Sequence, residues 1–167
     1  MDEKEQNFEI SAELHKIKVQ GGNLSTEQRW IIERLEGETL KKEVANLSIV
    51  GFHILAELMA GDELGIVLAA RLDVTRSAIT RAVRTLLQYQ MVETYQVIKN
   101  KKKIFYHLTD KGREVALAHN QMHDARQDYR DRKLFAHYDD KEKSIILRFL
   151  KEVIQTEKSM IEEIHKD

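Results

Sequence analysis

Residues 62 to 93, "DELGIVLAARLDVTRSAITRAVRTLLQYQMVE", constrain this chain more than any other stretch. They read as a helix over 63 to 71, a tight turn at Leu72-Asp73-Val74, and a second helix over 75 to 89 capped by Thr75. Ala69, Ala70 and Ala78 place small side chains where two short helices must approach closely. Val74, Ile79, Val83 and either Leu86 or Leu87 recur at the helical period and face inward. Arg76, Ser77, Thr80, Arg81 and Arg84 are left outward. This is a helix-turn-helix arrangement. Its second helix would offer hydroxyls and arginine forks to the major groove of DNA. A guanidinium matches guanine O6 and N7, and Ser or Thr suits several base edges. An ordinary helical hairpin would carry the same apolar pattern, so the flanking sequence has to decide.

The next segment decides in favour of DNA. "MVETYQVI" and "KIFYHL" are β-branched and aromatic, and "KNKKK" joins them. Two strands with a cationic tip behind such a helix make a winged helix. Lys99, Lys101, Lys102 and Lys103 would serve phosphates or a narrow minor groove. The whole chain carries a formal charge of −1. Residues 71 to 103 alone carry +6, so the remainder carries −7. A local basic patch on an acidic body is the electrostatic footprint of a DNA reader.

The flanks read as helices. Residues 4 to 19 form one, with Phe8, Ile10, Leu14 and Ile17 inward, and "QGGN" at 20 to 23 breaks it. Ser25 or Thr26 caps the next, which carries Trp30, Ile31 and Leu35 and ends or bends at Gly37. Ser48 caps a third with an apolar stripe of Ile49, Phe52, Leu55, Ala56 and Met59, stopped by Gly61. "LTDKGREVA", capped by Thr109 or Asp110, opens a long helix to about residue 134. A final helix from about 140 to 165 carries an apolar stripe of Ile145, Ile146, Phe149, Leu150, Val153, Ile154, Ile161 and Ile164, which needs a partner. A symmetric dimer supplies one with a single patch. The expected division is an N-terminal extension over 1–24, a first dimerisation helix and linker over 25–47, the DNA-binding domain over 48–109 and dimerisation helices over 110–167.

Composition narrows the chemistry. The chain has no cysteine, which removes disulfides, thiolate metal sites and thiol redox sensing. No apolar run is long enough to span a bilayer and the acidic start "MDEKEQNFEI" has no leader pattern, so a cytoplasmic protein without membrane contact is expected. "HNQMH" places His119 and His123 one helical turn apart, where imidazoles can share an ion or simply share an exposed face. A zinc hydrolase of the H-E-x-x-H kind would need a general base between them, and Asn120 stands there instead. No phosphate loop and no serine elbow occur, so a small metallohydrolase is the weakest reading and a non-enzyme is expected. His15, His107, His137 and His165 receive no role.

The order of these elements resembles the MarR family of bacterial transcription regulators over roughly residues 27 to 155. The residues that carry it are "LAARLDVTRSAITRAVRTLLQYQMVE" and "FYHLTDKGRE". The resemblance implies a mainly α fold with a small β-hairpin wing, a homodimer, and a double-stranded DNA operator as partner. The family wing carries Asp-x-Arg; the matching positions here are Asn100, Lys101 and Lys102, so a point charge replaces the arginine fork.

More narrowly, the chain is similar to the zinc-sensing branch of that family. There a histidine pair follows the "LTD" turn by the interval seen from Leu108 to His119, and a third histidine lies in a context matched by "GFHIL", giving His53. The branch's fourth ligand is a glutamate four residues before a glycine, which points to Glu33 in "ERLEG", with Glu36 as the alternative. Its second zinc site uses a cysteine and acidic neighbours; Phe52 and Ala118 stand beside the histidines here. The resemblance therefore implies one Zn2+ per subunit and a zinc-dependent repressor of a palindromic operator. Asp124 and Asp128 follow the pair at helical spacing, either to orient imidazoles or as part of a solvated face. The competing reading is a regulator that senses a small organic ligand or another metal in a pocket lined by Trp30, Phe52 and Met59.

Overall fold

The structure, a computed structural model, describes residues 3–20, 24–97 and 100–164. Its elements run α1 (Glu3–Gln20), α2 (Leu24–Ile32), α3 (Glu38–Val44), α4 (Ile49–Glu57), β1 (Glu63–Leu64), α5 (Gly65–Arg71) and α6 (Arg76–Gln88). Then come β2 (Val92–Val97), β3 (Asn100–Leu108), α7 (Asp110–Lys133), a short 3-10 turn (Phe135–His137) and α8 (Asp140–Ile164). The chain forms two compact units, one through Met122 and one from His123, and α7 runs continuously through the division. No helix among the described residues is long and apolar enough to cross a membrane.

The first unit is built around the expected helix-turn-helix. Thr75 caps α6, its hydroxyl accepting from the Ala78 amide at 3.2 Å. The turn into it needs a left-handed residue, and Asp73 takes that conformation at φ 51°; a short polar side chain tolerates it better than most. Ile79, Ala82, Val83 and Leu86 turn into the core, whereas Leu87 is 39% exposed, which settles the inward leucine as Leu86. Together with Ile31, Ile54, Leu55, Leu68 and Met91 they make one continuous core. Each fully buried side chain of this size contributes about 1.5–3 kcal/mol from burial. Gln28 on α2 ties in the end of α3, its amide donating to the Leu47 carbonyl at 2.8 Å.

The strands form a three-stranded antiparallel sheet in the order β1-β3-β2. Tyr95 pairs with Phe105 and Glu93 with His107, and the ladder slips between Gln96 and Val97. Behind the wing, the Thr109 hydroxyl accepts from the Gly112 amide at 3.1 Å and donates to the Gln90 carbonyl at 2.8 Å. That bond holds the start of α7 against the end of α6. Gly112 then passes so close that a Cβ there would sit 2.0 Å from the Met91 carbonyl oxygen. The "LTDKG" signature is thus a cap followed by a close backbone approach.

Several expectations fail locally. The helix expected over 63 to 71 begins only at Gly65, because Glu63 and Leu64 pair with Tyr106 and Phe105 as β1. Residues 25 to 47 hold a second short helix, α3, after Gly37, whose φ of +84° reverses the backbone. The α2 helix already includes Leu24, so Ser25 and Thr26 lie inside it rather than capping it. In α1, Phe8, Ile10 and Ile17 are exposed instead of inward. Ile49 is also exposed, outside the buried stripe of α4, while its cap Ser48 does accept from the Gly51 amide at 3.1 Å. The expected wing tip over 99 to 103 is shorter, since β3 starts at Asn100. Of the "QGGN" break, positions 21 to 23 lie outside the described residues, as does Lys99.

The second unit holds the end of α7, the 3-10 turn and α8. Asp139 and Glu142 close a reciprocal cap at the start of α8. Asp139 Oδ1 accepts from the amides of Lys141 and Glu142 at 2.8 and 2.9 Å, and the Asp139 amide donates to Glu142 Oε2 at 2.8 Å. No described residue after Met122 is buried.

Candidate metal centre and nucleic-acid face

His119 and His123 stand four residues apart on α7, so helix geometry alone stacks them on one face. His53 comes from α4, 66 positions earlier in the chain. Ligand nitrogens of all three lie within 4.8 Å of one another. The His53 and His119 rings meet at 64° with centroids 5.4 Å apart. Burial is graded: His119 is 4% exposed, His53 is intermediate and His123 is exposed. Phe52 lies parallel to the His119 ring, 4° between planes and 5.7 Å between centroids.

Three imidazole nitrogens on two helices suit a borderline metal such as zinc, which takes nitrogen ligands and tolerates three protein donors. The residues present therefore fit such an ion. The carboxylates expected beside them are not part of this cluster. Glu33 follows the last turn of α2, Glu36 precedes Gly37, and both are exposed outside the cluster. Asp124 and Asp128 are exposed as well. Two surface depressions are lined by other residues, one around Gln90, Thr94 and Lys111 and one around Ile66, Asp73 and Arg76; neither involves Trp30, Phe52 or Met59.

On α6, Arg76, Ser77, Thr80, Arg81 and Arg84 are exposed as expected. Two hydroxyls have local duties. Thr75 caps the helix and shares a 2.9 Å bond with Ser77, and the Thr80 hydroxyl donates to the Arg76 carbonyl at 2.9 Å. The arginines are left as the long-reaching groups. Arg71, counted in the basic stretch, is spent on structure: it bridges Glu63 at 2.8 Å and Glu57 at 3.6 Å. Lys103 is exposed on β3; Lys101 and Lys102 belong to the same strand.

Sequence reasoning missed a polar cluster on one face of the wing. His107 on β3 meets Asp62 at 2.8 Å through Nδ1. That bond holds the Asp62 carboxyl below the usual carboxylate range; slight burial opposes it and a bond from the Tyr95 hydroxyl adds to it. The same carboxylate pushes the Tyr95 phenol up. Asp62 and Tyr95 carried no local signal, because they meet only once β1, β3 and β2 are in register.

Comparison with known proteins agrees with this architecture. The family description "HxlR-like helix-turn-helix" matches residues 51–134, just over half of the 167-residue chain. The transcriptional regulator AdcR of Streptococcus pneumoniae serotype 2 (strain D39) is 39% identical over 67 residues, 40% of this chain and 46% of AdcR. The chain thus matches less than half the length of such curated relatives. Among solved structures, the adhesin competence repressor AdcR of Streptococcus pyogenes superposes with a TM-score of 0.67 at 18% identity, covering 90% of this chain and 96% of that one. ZitR of Lactococcus lactis, a zinc-responsive MarR family member, gives 0.59 at 22% identity, covering 66% and 76%. ZitR in complex with DNA also gives 0.59 at 22% identity, covering 66% and 75%. At such identities the likeness establishes the fold, a mainly helical winged helix-turn-helix of the MarR type. By the family match across its recognition helix, wing and long helix, the chain belongs to the HxlR-like helix-turn-helix family.

Proposed function

We propose that this chain is a transcriptional repressor that works as a homodimer, binds a palindromic DNA operator, and binds it more tightly with one zinc ion per subunit. The observation that carries the reading is the convergence of His53, His119 and His123 within 4.8 Å. Relatedness to AdcR and likeness to zinc-responsive ZitR support it. His53, His119 and His123 would hold the ion, with Glu33 or Glu36 or solvent as a further donor. A bound zinc would supply one cross-link between α4 and α7.

The placement of those helices gives the cross-link its consequence. α4 packs against the recognition helix α6, and α7 starts directly behind the wing strand β3. Joining His53 to His119 therefore restrains α6 and the wing together. Arg76, Arg81 and Arg84 would read base edges, with Ser77 and Thr80 beside them. Thr75 would position the helix, and Lys99, Lys101, Lys102 and Lys103 would hold phosphates. Two such heads must match half-sites about one helical turn apart. Zinc favours DNA only by the difference in its affinity for the DNA-competent and slack arrangements.

The test is operator affinity, using DNA selected in vitro by the protein, with zinc and with chelator. A coupling of about 1–3 kcal/mol predicts binding about 5- to 150-fold tighter with zinc, and His119→Ala should abolish the difference. Equal affinities in the wild type refute metal control. A response to a phenolic ligand that survives His119→Ala would favour the organic-effector reading.

A further inference from the structure

Phe52 is an aromatic with no polar atom, yet it lies against the histidine cluster. It is 3% exposed, on the helix that carries His53, and its ring is parallel to His119 within 4°. We infer that Phe52 is a positioning residue for the metal centre: its ring fixes the plane of the His119 imidazole and so prepares the cluster to take an ion. The inference rests on the zinc reading above and adds a residue to it.

The physical reason lies in the torsion that a histidine leaves loose. Rotation about the Cβ–Cγ bond of His is a broad, roughly two-fold torsion rather than a sharp staggered well. An imidazole on a helix therefore samples many ring planes unless something holds one. A flat neighbour favours one plane, because turning the buried His119 ring would give up the offset-parallel contact and require new room in a packed interior. Ligation uses the nitrogen lone pairs, which point within the ring plane. A stacking partner occupies the one surface that ligation does not need. His53 meets the same ring at 64°, with centroids 5.4 Å apart. Phe52 makes no hydrogen bond, so it selects an orientation without selecting a tautomer. Its own position is secured by the core around Ile54 and Leu55 on the same helix. His119 is then the preset donor of the cluster, and the more exposed His53 and His123 close onto it.

Cobalt(II) binding and its d–d bands report on the ligand set itself, and a core control separates that from fold stability. Wild type, Phe52→Leu, Phe52→Tyr and the core control Leu55→Ala are titrated with Co2+ while d–d absorption is recorded, and folding is checked by circular dichroism. Phe52→Leu keeps the apolar bulk and removes the flat face; Phe52→Met replaces it if that variant does not fold. The expected result is a loss of affinity of about tenfold or more in Phe52→Leu, on the scale seen when groups that orient ligands are removed, with altered d–d bands. Phe52→Tyr should restore most of the affinity, and Leu55→Ala should bind like wild type. Wild-type affinity and spectrum in Phe52→Leu would overturn the positioning role while leaving the metal site intact. An equal loss in Leu55→Ala would overturn it too, by showing an effect of stability. No stoichiometric cobalt binding to the wild type would overturn the metal reading and this inference with it.

Discussion

The two units of this chain solve the burial problem in opposite ways. Among the described residues, every buried hydrophobic side chain lies at or before Met122, in one cluster running from Ile31 through Leu86 to Val115. From His123 onward none of the described residues is buried, although α8 is 25 residues long and rich in isoleucine and leucine. Within α8, Ile146 and Phe149 are 38% exposed and Val153 is intermediate, while Ile145 and Ile154, expected in the same stripe and lying at its two edges, reach 58% and 57%. One stripe is thus better shielded along its own helix than the rest, as on a helix made to lie against something. The first unit carries its own answer to solvent. The second holds half of an answer, and a second copy of the same helix would complete it.

The largest effect that would sharpen this contrast is at Gly112. A methyl there would meet the Met91 carbonyl at 2.0 Å, and backbone cannot move aside as a side chain can. Gly112→Ala should cost about 3 kcal/mol or more, at the top of the range for overpacked cores. Thermal unfolding of the first unit should drop by at least about 10 °C. A drop of only a degree or two would mean that the start of α7 is not locked to the wing.

Leu150→Glu is the matching change in the second unit. The first unit's core is untouched, so its unfolding should hardly shift. If two copies meet through this stripe, symmetry places the charge there twice, and two hot-spot losses of about 2 kcal/mol each weaken association about a thousandfold. Sedimentation equilibrium reads this directly. Unchanged association would remove the α8 stripe from the dimer interface. Helicity should fall along with association, because an unpartnered helix is only marginally stable in water.

What the sequence made legible follows the same contrast. The recognition helix, its Thr75 cap, the wing and the Thr109 cap were readable because each rests on local rules: period, cap residue and turn. β1 was not, because Glu63 and Leu64 become a strand only by pairing with Tyr106 and Phe105, more than 40 positions away. Gly37 was read as an end or bend, and the short helix starting after it, with Leu40 and Val44 buried, went unseen. In α1 the periodicity was real but could not say whose core it faces, and Phe8 is 76% exposed in this chain. The histidine pair on α7 was visible as spacing alone. His53 came only through resemblance to a family, since nothing local links a residue on α4 to two on α7. Phe52 was read as part of an apolar stripe and of an alternative ligand pocket, and its contact with His119 depends on how the two helices pack.

Caps offer a smaller and more even-handed comparison. Thr109→Val removes the acceptor for the Gly112 amide and the bond to Gln90 together. Asp139→Ala removes the acceptor for two amides at the start of α8. Each loss is worth about 1 kcal/mol. The first should appear as a lower unfolding midpoint of the winged unit at any protein concentration. The second should leave that midpoint in place and appear as weaker self-association. Identical effects from both would mean that the two units unfold as one.

The smallest expected effect tests how far the first unit's self-sufficiency extends to its surface. Asp62 receives bonds from His107 and Tyr95, and its folded carboxyl titrates below its ordinary value of 3.8. A depressed carboxylate stabilises the fold above its unfolded pKa, and that contribution is lost as pH falls through the folded value. The Tyr95 phenol is raised from 10.0, so its contribution has the opposite sense: present at neutral pH and lost as pH climbs through the raised value. Asp62→Asn should therefore flatten stability at both ends, below about pH 4 and above about pH 10. The cluster is largely open to water and screened, so the change at neutral pH should be small. Denaturant midpoints across pH for wild type and Asp62→Asn measure it. Parallel curves at both extremes would mean that the cluster merely rests on the sheet and that the wing is held by its strands alone.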